Sequence, residues 1–172
     1  MKHILVLSLA LIALFPETFA QIKDSTSLET TTYYLIRHAE KDRSDSTNKN
    51  PVLTKKGFFR AERWSKIFSS TELDAIYSTN YDRTLMTASP TAKSKELEIQ
   101  LYDPRALYDE EFREATTGKT VLVVGHSNTT PAFVNAILGE DRYEDMDDMD
   151  NSSLYVVTKI GQQVAVQVLK MD

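Results

Sequence analysis

Residues Thr120–Gly125, reading Thr-Val-Leu-Val-Val-Gly, constrain this chain more than any other stretch. A half-exposed strand alternates apolar with polar residues. An unbroken apolar run this short is the mark of a strand covered on both faces, as in a largely parallel sheet. Such a strand needs helices above and below it, and the flanking sequence supplies them. Other strand-like runs lie at Tyr33–Arg37, Leu73–Thr79 and Glu98–Asp103. Helix-like segments separate them, so the order is β-α-β-α.

The segment after Thr54 predicts a helix with Thr54 as its N-cap and Phe58, Phe59, Ala61, Trp64, Ile67 and Phe68 turned to the core. A second helix is expected over Asn80–Glu96, bent or interrupted at Pro90. A third covers residues 105–117, with Ala106, Leu107 and Phe112 inward. A fourth covers Asn128–Gly139, with Pro131 in its first turn and Gly139 past its last. Two closing strands, Ser153–Ile160 and Gln162–Met171, join near Gly161. The expectation is a three-layer α/β/α fold with a mostly parallel central sheet of about six strands.

The first twenty residues are different material. Lys2 and His3 precede an apolar stretch from Ile4 to Phe15, and Thr18 and Ala20 are small residues where a signal peptidase requires them. The run is short for a membrane span and reads as a signal peptide over residues 1–20 rather than an uncleaved anchor. Residues 21–32 read as a flexible leader, and 33–172 as a single domain. The expected location is periplasmic or secreted, with no stable membrane insertion after cleavage. The chain has no cysteine, which excludes disulfides, thiolate catalysis and cysteine metal sites. Its net charge of −5 argues against broad nucleic-acid binding. Past residue 20 the only histidines are His38 and His126.

In doubly wound α/β folds, ligands bind beyond the carboxyl ends of the strands. Those ends carry Arg37-His38, Asp103 and His126-Ser127-Asn128, and the turn after the second strand leads to Arg83. Two arginines offer forked donors to phosphate oxygens. Helix N-termini after residues 80 and 127 favour an anion. One imidazole is a nucleophile for phosphorus; the other, protonated, steadies charge. Asp103 is the expected proton donor, if its pKa is raised. The cations are all side chains, so no metal or other cofactor is expected.

Four stretches resemble the histidine phosphatase superfamily, the phosphoglycerate-mutase-like group, in its branch 1 single-domain phosphatase type. They are "LIRHAEK", "LTKKGFFRAERWSKIF", "IYSTNYDRTLMTA" and "VLVVGHSNT". The resemblance implies that His38 becomes a phosphohistidine and that Arg37, Arg83 and His126 hold the phosphoryl group. It places the acid after the third strand, at Asp103, with Asp109, Glu110 and Glu111 as rivals. Two departures stand out. Ala39 replaces the usual glycine, and Ser127-Asn128 brings side chains to the rim. Asn128 is expected to cap a helix or touch substrate, and Lys41 to be a solvated loop charge or a cation at the mouth. The acidic stretch Glu140–Asn151 lacks the glycine and terminal glutamate of an EF-hand loop and reads as a solvated loop.

The resulting expectation is an exported, metal-independent phosphatase acting on small-molecule phosphomonoesters. The alternatives are a non-catalytic phospho-ligand-binding module of the same fold, a mutase, or a protein phosphohistidine phosphatase. Loops 42–52, 103–110 and 139–151 are where specificity is expected to reside.

Overall fold

The structure, a computed structural model, describes residues 29–171. The segment read as a signal peptide and residues 21–28 of the leader lie outside the described residues. The elements are β1 (Thr30–Arg37), α1 (Lys55–Ile67), β2 (Ala75–Ser78), α2 (Asp82–Lys95), β3 (Ile99–Leu101), α3 (Glu110–Thr116), β4 (Thr120–Gly125), α4 (Thr129–Leu138), β5 (Ser153–Ile160) and β6 (Gln163–Lys170). The leader is shorter than its composition suggests, because Thr30, Thr31 and Thr32 already belong to β1. Their pairing with Ile160, Lys159 and Thr158 of β5 supplies the ladder that polar β-branched residues accept.

The sheet order is β3-β2-β4-β1-β5-β6. The pairs β2–β3, β2–β4 and β1–β4 are parallel, and β5 and β6 add an antiparallel edge. The run that opened the sequence argument is β4, between β2 and β1, and Val121–Val124 are buried. Alternation along the strands divides the interior in two. Tyr33, Leu35, Tyr77, Val121 and Val123 face Phe112 of α3 and Phe133, Val134 and Ile137 of α4. Ile36, Ile76, Leu122 and Val124 face Trp64 and Phe68, at α1, and Ala88 and Ala92 of α2. The three-layer, mostly parallel α/β expectation therefore holds.

Three local expectations change. Phe58 and Phe59 are exposed at 48% and 61% rather than core. The buried stripe of α1 is Gly57, Ala61 and Trp64, continued by Phe68, and at 100° per residue positions 58 and 59 fall outside it. The third helix begins only at Glu110, capped by the Asp109 carboxylate accepting from Phe112 N–H at 2.9 Å. Residues 103–109 instead form turns, ending at Tyr108 with φ of 54°. Finally, α2 continues through Pro90 from Asp82 to Lys95.

Candidate active site

The parallel register of β1 and β4 builds the site. Arg37 lies opposite Gly125, so the next residues, His38 and His126, leave the sheet side by side. Their ring centroids are 5.5 Å apart. Gly125 allows the chain to turn there: a Cβ would lie 2.9 Å from Thr130 Oγ1 and Tyr102 Oη. Around the imidazoles is an open pocket of about 410 Å³, lined by residues including Arg37, His38, Arg83, His126, Ser127 and Asn128.

Both histidines are held in defined tautomers. His38 Nδ1 lies 2.7 Å from the Ala39 carbonyl, which only accepts. The ring therefore donates from Nδ1 and keeps its Nε2 lone pair free. The His38 backbone N–H donates to the Gly125 carbonyl at 2.9 Å, and its carbonyl accepts from Asn151 Nδ2 at 2.8 Å. His126 has the opposite tautomer. Arg83 Nη2 is 3.5 Å from its Nδ1 and can only donate. Its Nε2–H then donates to Thr79 Oγ1 at 3.0 Å. Thr79 in turn donates to Thr84 Oγ1 at 3.0 Å, and Thr84 has the Thr79 and Tyr81 carbonyls to donate to. Thr87 ties the loop after His38 to α2, accepting from Ala39 N–H and donating to the Arg83 carbonyl.

Burial is the main force on both imidazoles. It pushes His38 down to about 3, assisted by Arg37, His126 and Arg83. It pushes His126 down to about 4, with Arg83, Arg37 and Lys41 adding to it. The second imidazole, expected from sequence to be protonated, is thus neutral at pH 7. Between pH 6.5 and these values the unfolded chain binds protons that the folded chain refuses, so stability falls as pH drops through that window. The unfolding free energy is expected to be roughly 2–4 kcal/mol lower at pH 5 than at pH 7. Urea titrations at the two pH values check it; equal stabilities would contradict the burial argument.

The arginines are placed as expected but with more partners. Arg37 is 1% exposed. It donates to the Asp147 and Asp150 carbonyls at 2.9 and 3.2 Å and to Asp148 Oδ1 at 2.7 Å. Arg83 lies over the Tyr81 ring, 4.4 Å from its centroid. The Nε atoms of both arginines are buried with no partner in the protein. Unmet guanidinium donors suit an oxyanion. The N-terminus of α4 adds to this, since Asn128 lines the pocket and makes no capping bond with its side chain. The capping expectation for Asn128 gives way to a free side chain at the rim.

Asp103 is not placed as the expected proton donor. Its carboxylate accepts from the backbone N–H of Arg105 at 2.9 Å and from Arg105 Nε and Nη2 at 3.0 and 2.7 Å. These bonds from Arg105 hold it ionised, down to about 2, opposite to a raised acid. With Asp109 and Glu111 it lines an adjoining cavity of about 300 Å³ beside Tyr77 and Tyr102. Glu110, the remaining rival, is an exposed first-turn residue of α3.

The acidic stretch supplies what composition concealed. Met146 is buried, its N–H donating to the Ser127 carbonyl at 2.9 Å. Asp150 accepts from Ser152 and Ser153 and pairs with Lys170. The segment is a wall of the site, and it presents Asp148 to the pocket. Asp148 Oδ2 also pairs with Arg43 at 2.6 Å, clasping loop 42–52 to loop 139–151 across Arg37. Lys41 lines the pocket as well; burial, then Arg43 and Arg83, lower its pKa. Ala39 is fully buried with Leu53 and Ala61, so its departure from glycine does not reach the pocket.

The fold and site define a class, an α/β protein with paired neutral imidazoles in a cationic anion pocket. Residues 33–104 match the family model of the histidine phosphatase superfamily (branch 1). No curated protein matches the chain. Solved structures do. SixA from Agrobacterium tumefaciens, assigned as a phosphohistidine phosphatase, is 21% identical with a TM-score of 0.59, over 81% of this chain and 97% of that one. A mycobacterial glucosyl-3-phosphoglycerate phosphatase is 12% identical with a TM-score of 0.63, over 83% and 100%. Phosphoglycerate mutase from Bacillus anthracis is 13% identical with a TM-score of 0.65, over 82% and 93%. At these identities the likeness speaks for the fold. The motifs and the fold are consistent with the family match over residues 33–104. The match ends before β4, so His126 enters the argument through the β1–β4 register.

Proposed function

We propose that this protein is an exported, metal-independent phosphatase that hydrolyses small phosphomonoesters through a phosphohistidine on His38. The observation that carries the reading is the free Nε2 of a neutral, buried His38 beside His126 and two arginines with unmet donors. Nε2 attacks phosphorus and the bond to the leaving group breaks. Arg37, Arg83 and the α4 N-terminus hold the non-bridging oxygens. Water then attacks the phosphohistidine and returns the electron pair to Nε2. The family match and the phosphatase fold support the hydrolase class; export rests on residues 1–20 of the sequence.

Trapping tests the reading. The protein, incubated with a radiolabelled phosphomonoester and quenched in alkali, is expected to carry label that is alkali-stable and acid-labile. Tight phosphate binding with no label from any donor would instead favour the binding-module alternative.

Phosphate binding is also expected to take up protons. Both imidazoles line the pocket as acceptors, His38 at Nε2 and His126 at the Nδ1 to which Arg83 donates, and a bound dianion opposes both. Protonating His126 at Nδ1 turns an acceptor into a donor and favours the anion. At pH 7, binding of inorganic phosphate should consume about one proton per site. Calorimetry in buffers of different ionisation enthalpy reads this directly, and zero uptake would count against His126 as the phosphate's partner.

A further inference from the structure

Among the described residues, the pocket presents no carboxylic acid free to protonate the leaving group. Asp103, at the expected place in the chain, has both oxygens engaged by Arg105 and faces the adjoining cavity with Asp109 and Glu111. Its neighbours Pro104 and Arg105 do line the active-site pocket, and the Arg105 guanidinium is paired with Asp103. Among the described residues, Asp148 is the one carboxylate lining that pocket. It is committed to two arginines, with one oxygen on each, Arg37 at 2.7 Å and Arg43 at 2.6 Å. A carboxylate in two charge-assisted pairs is a poor proton donor. The other ionisable groups lining the space are Arg37, Lys41, Arg83, Arg105 and the imidazoles of His38 and His126, and the proton that His126 takes up with phosphate is committed to a non-bridging oxygen. Lys41 and Arg105 stabilise a departing anion as cations, but they are far weaker acids than a carboxylic acid poised near neutrality.

We infer that this site takes phosphoryl groups from donors whose leaving group departs without a proton from the protein: aryl, enol or acyl phosphates and phosphoramidates, rather than esters of simple alcohols. The inference rests on the phosphohistidine reading and shifts its substrate class from phosphomonoesters in general to activated phosphoryl donors. In the first step the Nε2 lone pair of His38 forms the N–P bond. The bond from phosphorus to the leaving atom breaks, and its electron pair leaves with that atom. The Nδ1 proton of His38 stays on its bond to the Ala39 carbonyl. Water then forms the new O–P bond, the N–P electron pair returns to Nε2, and the proton released by water passes to solvent.

The test is the rate of phosphoenzyme formation from p-nitrophenyl, phenyl and glycerol phosphates, a series of rising leaving-group pKa. The rate is expected to fall by about 10²-fold or more from p-nitrophenyl to glycerol phosphate, the size of the assistance that a positioned acid would have given. Asp103→Asn is expected to stay within about threefold of the parent protein on every donor. Phosphoenzyme forming from glycerol phosphate within tenfold of the p-nitrophenyl rate would overturn the inference. So would an Asp103→Asn loss confined to glycerol phosphate, which would mean that Asp103 swings in as the acid. Either result leaves the phosphohistidine reading standing. A failure to label with any donor sinks that reading and this inference with it.

Discussion

The His38→Ala protein is expected to lose roughly 10⁴-fold or more of its turnover on p-nitrophenyl phosphate while still binding inorganic phosphate. The expectation follows from how separately the parts are built. Arg37 is held by the 147–150 segment, and Arg83 by Tyr81 and α2, so neither depends on the His38 ring. His126 is oriented from behind by the Thr79–Thr84 chain. Removing the proposed nucleophile therefore leaves the anion site standing and deletes one atom, Nε2, from the proposed chemistry. Steady-state kinetics and phosphate calorimetry on the same preparation separate the two effects. A variant with full turnover would be fatal to covalent catalysis at this position. Removing His38 also removes a buried imidazole that resists protonation, so the variant should lose less stability than the parent between pH 7 and pH 5.

Gly57→Ala is expected to be the most damaging single-methyl change to stability, at about 3 kcal/mol or more. A Cβ at position 57 would lie 2.2 Å from the Glu40 carbonyl oxygen. That oxygen cannot easily retreat. It accepts from Thr54 N–H at 2.8 Å and from Thr54 Oγ1 at 3.1 Å, and the Glu40 side chain is gripped by the Arg60 fork at 2.9–3.1 Å. The first turn of α1 is thus pressed against the backbone two residues after the nucleophile. Activity should fall along with stability. Gly139→Ala is the fitting comparison. Its backbone has φ of +74° but open space for a Cβ, so only conformational strain of about 1 kcal/mol is expected. Urea midpoints for the two variants give the comparison, and similar losses would refute the steric argument at Gly57.

Several features were legible because they depend on local pattern alone. The unbroken apolar run of β4 required cover on both faces, and the periodic segments around it were the helices that give it. Arg37 and His38 at the end of a core strand, and His126 after Gly125, could be read as neighbours because parallel strands bring their carboxyl ends to one edge. Thr54 as a cap was legible for the same reason: its side chain accepts from Gly57 N–H three residues on. Thr79, Thr84 and Thr87 stand in the quoted stretch around Arg83, but their roles went unread. Only the packing of α2 beside β2 sets Thr79 and Thr84 behind His126 and Thr87 under the Ala39 N–H. The phase of α1 was misjudged at Phe58 and Phe59, where hydrophobicity suggested core and the helix's own rotation decided otherwise.

The acidic loop and Asp103 mark where sequence stops. By itself the sequence determined the layered α/β fold, the strand edge where chemistry gathers, and the two histidines and two arginines that gather there. Each follows from periodicity, chain direction and residue chemistry. Only the tertiary structure decided which carboxylate enters the pocket. The acid expected after β3 turns to its own Arg105, while Asp148, from a stretch that composition marks as solvated, clasps Arg37 and Arg43. A side chain's partner is set by how loops from distant parts of the chain meet over the sheet. Charge count and position along the chain carry no record of that meeting.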